Sequence, residues 1–204
     1  MVSPAAVVAR VRSTTDVQAW NEVDVSARIA PRVDATWVST VRYSRSSSRP
    51  VVYASGVDAN IRLSEHIVVT PSYYVIVART STGTWSRTRV PILAATPTYT
   101  WGRWTVADRS RFVAVSGAGP GLWLYQNRLR IDYALTKGAS WFVWNEASWY
   151  SVYRGWTRNR LAVGARLGLR DGIGFDAYYV RQHDTRGTPG RLEGVGVTLS
   201  VRLR

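Results

Sequence analysis

The chain contains no cysteine, and Lys137 is its only lysine. Without cysteine, a framework of disulfides and zinc sites built on thiolates are both excluded. Long apolar runs are also missing. The longest wholly apolar runs, such as Tyr73–Ala78, are far too short for a membrane helix, which needs about 20 apolar residues. A helical membrane protein is therefore excluded.

The positive charge of the chain comes almost entirely from arginine. The formal net charge is +14, a balance typical of proteins that bind nucleic acid, anionic membranes or acidic ligands. The arginines do not gather in one run; they alternate with apolar residues along one segment after another. Nucleic-acid binding needs arginine and aromatic residues together on an exposed face, whereas the face with most arginines here has few tryptophans. The sequence therefore does not favour nucleic acid as a partner.

Alternation of apolar and polar residues with a period of two recurs along the chain and predicts β-strands. The clearest segment is 194–204, in which Val195, Leu199 and their apolar neighbours alternate with Gly, Thr, Ser and Arg. About eleven such segments cover nearly the whole chain, each near the 9 to 11 residues of a tilted membrane strand. Most of the 10 tryptophans lie near segment ends, as in the aromatic girdles of membrane barrels. We therefore expect the apolar face to point outward, towards lipid.

Short and longer connections alternate between the predicted strands. Tight turns are predicted at 30–33, 64–66, 102–103, 136–139 and 171–172, and longer polar connections at 44–50, 80–84, 116–121, 153–156 and 184–190. Outer-membrane barrels have this arrangement, with the longer loops outside the cell. If the C-terminus faces the periplasm, a strand must precede the clear one at 17–29, and 5–12 is the only candidate.

These patterns predict an all-β fold with a single domain over residues 1–204. We expect a closed, antiparallel, up-and-down transmembrane β-barrel of about 12 strands, with about 10 as the alternative, in which 1–16 form a weak first strand or a disordered N-terminus. Residues 1–12 lack the apolar core of a signal peptide, so the numbering starts near a trimmed end or export is not involved. Pro71, Pro91 and Pro97 fall within predicted strands, where they indicate bulges or misplaced boundaries.

Several short motifs, in this order, resemble a bacterial family of uncharacterised outer-membrane barrels. They are Trp20, Asn21 and Glu22; Asp108, Arg109 and Arg111; Arg128, Leu129 and Arg130; Asn145 and Glu146; Asn159, Arg160 and Leu161; and Tyr178, Tyr179, Arg181 and Gln182. The likeness covers roughly 17–204. It implies a barrel fold and an outer-membrane location, with no established activity. The chain departs from the usual barrel ending because its last residues, 201–204, include no aromatic side chain.

The polar faces of the predicted strands carry the candidate site, a network of arginines and carboxylates inside the barrel. Its members are Glu22, Asp24, Arg28, Arg42, Asp58, Arg62, Arg109, Arg111, Arg128, Arg130, Asp132, Glu146, Arg160, Arg166 and Asp176. In a narrow barrel such groups pair with one another and fill the lumen, which predicts a structural or narrow-pore role. An excess of arginine alternatively predicts a channel selective for small anions. No catalytic, cofactor-binding or metal-binding residues are assigned.

Two further alternatives stay open. A lipid hydrolase needs a histidine base, for which only His66 and His183 are available, and both are expected to be solvated. A soluble barrel that binds anionic ligands would bury the apolar face instead. For the membrane reading, the expected partners are outer-membrane lipid, the barrel-assembly machinery, and lipopolysaccharide phosphates at loop arginines: Arg45, Arg49, Arg154, Arg158 and Arg186.

Overall fold

The computed structural model describes residues 15–46, 48–80, 83–116, 122–186 and 190–203. Eleven strands account for most of them: β1 Thr15–Ala30, β2 Val33–Ser44, β3 Arg49–Arg62, β4 Ile67–Arg79, β5 Trp85–Trp101, β6 Trp104–Ala114, β7 Trp123–Thr136, β8 Ala139–Tyr150, β9 Gly155–Arg170, β10 Ile173–Asp184 and β11 Arg191–Leu203. Each predicted segment of alternating residues thus forms a strand. Across the described ranges, no helix has the length and apolar character to cross a membrane.

The strands form one closed barrel in which neighbours along the chain are neighbours in the sheet. Every such pair is antiparallel, and β1 pairs with β11 in parallel to close the sheet. The predicted all-β closed barrel is therefore confirmed, with 11 strands in the described residues against about twelve predicted. The closing pair is parallel because an odd number of up-and-down strands brings the first and last to the seam in the same direction. The predicted strand at 5–12 lies outside the described residues.

The two ends of the barrel differ in their connections. At one end lie the short turns at 31–32, 63–66, 102–103, 137–138 and 171–172, close to the predicted positions. Gly102 and Gly172 have positive φ angles of 55° and 78°, which side chains other than that of glycine rarely tolerate. The longer connections lie at the other end, which in an outer-membrane barrel faces outside; most of 116–121 and part of 184–190 are not among the described residues.

Most large apolar side chains of the strands face outward, and most charged side chains face the barrel interior. Val195 is 61% exposed and Leu161 is 49% exposed, whereas Glu146 is fully buried. A soluble barrel with its apolar face inside would show the reverse. Trp20 and Trp144 differ from the expectation for tryptophan, because both are buried inside the barrel, while others such as Trp101 lie outside near strand ends.

Pro71, Pro91 and Pro97 interrupt hydrogen-bond ladders without shifting their register. Beside Pro71, the pairing of β3 with β4 stops between Asp58–Ser72 and Ile61–Val69 and resumes in the same register. The β5–β6 ladder has similar gaps at Pro91 and Pro97. Proline lacks the N–H that a ladder needs, so one side of the strand loses its bonds while the other side stays paired. The strands therefore continue through these three prolines, and no bulge is required.

Candidate functional site

A single carboxylate gathers four arginines on one inner wall of the barrel. Glu146 on β8 is fully buried, and its Oε2 lies 2.7 Å from Nη2 of Arg128 and 3.1 Å from Nη2 of Arg111. Its Oε1 lies 3.0 Å from Nη1 of Arg160, and Nη2 of Arg109 is 3.8 Å from Oε2. We call Glu146 and these four arginines the Glu146 cluster. One negative charge faces four positive charges, so the cluster leaves this wall positive.

Several guanidinium groups on the inner wall also lie over aromatic rings. Arg128 lies 4.2 Å from the ring centre of Trp144, and Arg42 lies 4.0 Å from that of Trp20. These contacts are cation–π interactions, which strengthen where water is excluded. They satisfy the face of a guanidinium group but none of its N–H donors. The Nε atoms of Arg42, Arg109 and Arg111 are buried and have no hydrogen-bond partner among the described residues.

A second group of charges lies on the same wall, closer to the short turns. Arg166 on β9 donates two hydrogen bonds to Asp176, from Nε at 2.7 Å and Nη2 at 2.8 Å. Arg130 forms the same forked contact with Asp132 and lies 3.8 Å from Asp176. Two arginines and two carboxylates balance here, and forked contacts of this kind hold both partners in fixed positions.

The facing wall, on β1 and β3, carries carboxylates without ion pairs among the described residues. Glu22 accepts hydrogen bonds from the hydroxyl groups of Thr40 and Thr198, and Asp58 accepts one from Tyr74 at 2.8 Å. Asp24 has one buried oxygen without a partner. The excess of arginine therefore lies on the wall of strands β6 to β9, whereas the facing wall carries these three carboxylates, with Arg42 of β2 as an exception over Trp20.

Two cavities lie between these walls. The central one, of about 320 Å³, is lined by every predicted network residue except Arg28, Arg62, Asp132 and Glu146. The other, of about 330 Å³, extends towards the short turns past Asn60 and Thr70. Both are lined by Asp58, Tyr74, Arg109 and Arg111. Two of the three arginines with unpartnered Nε atoms, Arg109 and Arg111, thus stand where the cavities adjoin.

Arg28 and Arg62 take part in a separate group near the short turns, around a carboxylate that the sequence prediction omitted. Asp34 on β2 accepts hydrogen bonds from both arginines, with Nε of Arg28 at 3.3 Å, and Arg202 lies 3.5 Å away. These arginines come from β1, β3 and β11, so only the closed register brings them together. No local sequence signal marks Asp34, although it shares the inward parity of Arg42.

Part of the interior is apolar, which the sequence prediction also missed. One buried cluster contains Trp20, Phe142, Trp144, Ala162, Val180 and Leu192, with Tyr178 packed against it. Another, on strands β5 to β7, contains Val90, Val113 and Leu124. These side chains narrow the space left for solvent. The sequence does contain a signal for these buried tryptophans. Trp20 and Trp144 alternate in step with Glu22 and Glu146, which point inward.

The two histidines stand apart from the interior network. His66 lies in a short turn, where its Nε2 is 3.8 Å from Glu65. His183 lies near the end of β10, on the exposed side of the strand. Neither imidazole forms a hydrogen bond with a serine side chain in the described part of the chain. Arg158 was predicted to be a loop arginine but lies in β9, where its Nη2 is 2.7 Å from Asp184.

Comparison with known proteins agrees with this architecture. The chain is similar to the structure of the porin NanC, with a TM-score of 0.58 at 12% identity over 92% of this chain and 99% of that one. It is also similar to LpxR from Salmonella typhimurium, with a TM-score of 0.55 at 9% identity over 87% of this chain and 86% of that one. At sequence identities this low, the structural similarity shows a shared fold and nothing more. No curated protein matches the chain. A family model does match residues 17–193, and the chain therefore belongs to the family described as a protein of unknown function, DUF2490.

Proposed function

We propose that the protein is an outer-membrane barrel that acts as a narrow pore for small anions. The observation that carries the proposal is the pair of cavities that adjoin at Arg109 and Arg111, whose Nε donors have no partner among the described residues. An anion that passed this point would meet the partly exposed guanidinium groups of Arg109 and Arg111, whose side chains are 32% and 21% exposed, and a wall with excess positive charge. Outer-membrane lipid would surround the apolar outer face, which supports the proposed location.

The filled interior limits the size of any solute that passes. Buried apolar side chains and the forked ion pairs occupy space inside the barrel, and the cavities that remain have volumes of about 320 and 330 Å³. Such volumes are at the lower end of small-molecule sites. We therefore expect small conductance steps and exclusion of large solutes.

Conductance across planar lipid bilayers tests the pore. Under a potassium chloride gradient, the wild type should give small discrete steps with a reversal potential that indicates chloride preference. Replacing the two arginines where the cavities adjoin, by Arg109→Gln and Arg111→Gln, should lower the ratio of chloride to potassium permeability. The matched control is the pair Arg87→Gln and Arg89→Gln, which removes the same charge from the exposed side of β5 and should leave the ratio close to wild type.

A plugged structural barrel is the second candidate. The Glu146 cluster favours it, because salt-bridged side chains that project from one wall into the interior can fill the lumen as well as line it. Silence of correctly folded protein in bilayers would contradict the pore and support this candidate. In either role, we propose the barrel-assembly machinery as the partner for insertion, and lipopolysaccharide phosphates as ligands of arginines at the end with the longer connections, such as Arg45 in a turn and Arg49 at the start of β3.

A further inference from the structure

Three outward-facing arginines lie together on strands β4 and β5, near the end with the longer connections. They are Arg79 on β4, which is partly exposed, and Arg87 and Arg89 on β5, which are exposed. We call these three residues the outer arginine patch. The even-numbered residues of both strands face the interior, where Tyr74 and Ile92 line a cavity, so the odd-numbered arginines face outward. The patch therefore lies outside the proposed pore.

The pairing of β4 with β5 places the three arginines side by side. Arg79 pairs with Trp85, two residues before Arg87, so the two arginines are diagonal neighbours on one face. Arg87 and Arg89 are two residues apart on one strand, which separates their Cα atoms by about 7 Å. Nε of Arg79 donates to the backbone oxygen of Gly83 at 3.0 Å, which holds this side chain near the other two.

No carboxylate balances the charge of the patch. β4 and β5 contain no acidic residue, and Glu65 is the only one between Asp58 and Asp108. Glu65 lies in a short turn at the opposite end of the barrel, and Asp58 lines the interior. Asp108 on β6 stands beside the other half of β5, since the adjacent Ala107 pairs with Thr98. In the described part of the chain, the two exposed arginines form neither ion pairs nor side-chain hydrogen bonds.

The patch lies at the level of lipid headgroups. Arg89 bonds through its backbone to Ser116, which lies beyond the end of β6. Phe112, an outward residue of β6 that stacks on Trp123, pairs with Leu93, four residues further into β5. The patch is therefore closer to the end with the longer connections than this aromatic contact is. Aromatic girdles mark the interfaces of a membrane barrel, so the patch borders the outer leaflet.

An apolar outer wall continues from the patch towards the centre of the membrane. Pro91 and Leu93 follow the arginines on the same face of β5, and Tyr73 on β4 pairs with Pro91. Leu93 is 56% exposed and Tyr73 is 50% exposed. A lipid has the same order of parts, with a charged headgroup followed by acyl chains. It would cover both surfaces, whereas an acidic protein segment would cover the arginines alone.

We propose that the outer arginine patch binds the phosphate groups of lipid A, the bisphosphorylated glycolipid part of lipopolysaccharide, while its acyl chains lie along Tyr73, Pro91 and Leu93. Guanidinium groups form forked, charge-assisted hydrogen bonds with phosphate. Two phosphates match a row of three arginines better than the single phosphate of a glycerophospholipid does. This site is separate from Arg45 and Arg49, and it rests on the proposed outer-membrane location and not on conduction.

Native mass spectrometry of the protein in detergent micelles, titrated with lipid A, tests the site. The double variant Arg87→Gln and Arg89→Gln should bind lipid A about tenfold more weakly or less, because two charged contacts with phosphate are lost. The matched control is Arg181→Gln with Arg191→Gln, which removes two exposed arginines near the same end of the barrel. Glu193 pairs with Arg181 and lies two residues from Arg191, so this control should keep the affinity of the wild type.

Two further probes identify the headgroup. Lipid A from which both phosphates have been removed, and phosphatidylglycerol, should each bind the wild type about tenfold more weakly than lipid A. Equal binding of either probe, or an unchanged affinity in the Arg87→Gln and Arg89→Gln variant, would overturn the proposal. Tighter binding of poly-glutamate than of lipid A would overturn it in favour of an acidic protein. Circular dichroism checks that each variant folds.

This test is independent of the pore. Conductance in planar bilayers that lack lipid A reports on the interior alone. Silence there, together with intact binding of lipid A, would reject the pore and leave the site standing. Discrete conductance steps from a protein that does not distinguish lipid A from its dephosphorylated form would reject the site and leave the pore standing.

Discussion

The guanidinium group of Arg128 contacts Glu146 through two nitrogens, with Nη2 at 2.7 Å and Nε at 2.9 Å from the same carboxylate oxygen. Glu146 has no exposed surface, so this contact is shielded from water on the carboxylate side. The arrangement keeps a negative charge inside the barrel only because arginines from β6, β7 and β9 converge on it. The register of these strands thus determines where the positive wall of the interior lies.

Removing this carboxylate should destabilise the barrel strongly. Glu146→Gln leaves four neighbouring arginines facing one another without a counter-charge, and breaking a buried ion pair in this way costs about 3–5 kcal/mol. Unfolding by urea in lipid vesicles, followed by tryptophan fluorescence, measures the loss. Glu65→Gln is the control, because Glu65 lies in a turn with its side chain 86% exposed. A Glu146→Gln barrel as stable as this control would refute the structural role of the cluster.

Removing the carboxylate of Asp34, near the short turns, should lower the free energy of unfolding much less. Asp34 also gathers arginines, but Arg28 and Arg202 are each about half exposed, so water replaces the lost contact. We expect Asp34→Asn to lower the free energy of unfolding by at most about 1 kcal/mol, as for exposed ion pairs. The urea experiment used for Glu146 measures both variants under the same conditions. A loss at Asp34 equal to that at Glu146 would show that burial does not govern these contacts.

Close packing inside the barrel predicts a difference between two glycines on neighbouring strands. A Cβ added at Gly196 on β11 would overlap the ring of Tyr178, whereas one added at Gly174 on β10 would meet its nearest atom at 3.9 Å. Gly196→Ala should therefore cost about 1–3 kcal/mol through overpacking, and Gly174→Ala should be close to neutral. Thermal or urea unfolding of both variants measures the difference. Equal stabilities would mean that Tyr178 moves freely.

Local alternation was sufficient to predict the strands, most turns and the side that faces outward. Val195 and Leu161 were placed outside because aromatic residues near strand ends distinguish a lipid-facing surface from a buried one. The role of Asp34 could not be predicted, because its partners come from three strands whose pairing depends on closure. Closure and register are properties of the whole sheet, and no single segment encodes them.

The direction of other side chains could have been predicted from the sequence, by comparing the position of each residue with that of its neighbours in the alternating pattern. Trp144 was assigned to an aromatic girdle from its residue type, although it alternates in step with Glu146 and lies buried inside. Asn145 and Asn127 were treated as ordinary strand residues, although they alternate in step with outward apolar neighbours. A polar residue at an outward position in a membrane strand is costly, and that cost is the signal for a hydrogen-bond partner, which Asn127 finds in Asp108 and Asn145 in Asn159.

The conclusions above depend on which side of each strand faces lipid. Site-directed spin labelling along β11 tests this most directly. Single cysteines at positions 195, 197, 198, 199 and 200 would carry a nitroxide in vesicles, and collision with oxygen, which concentrates in hydrocarbon, would be compared with collision with a water-soluble nickel complex. Outward apolar positions predict oxygen maxima at Val195, Val197 and Leu199, with minima at Thr198 and Ser200. Oxygen maxima at the second set, with the apolar positions shielded, would contradict it.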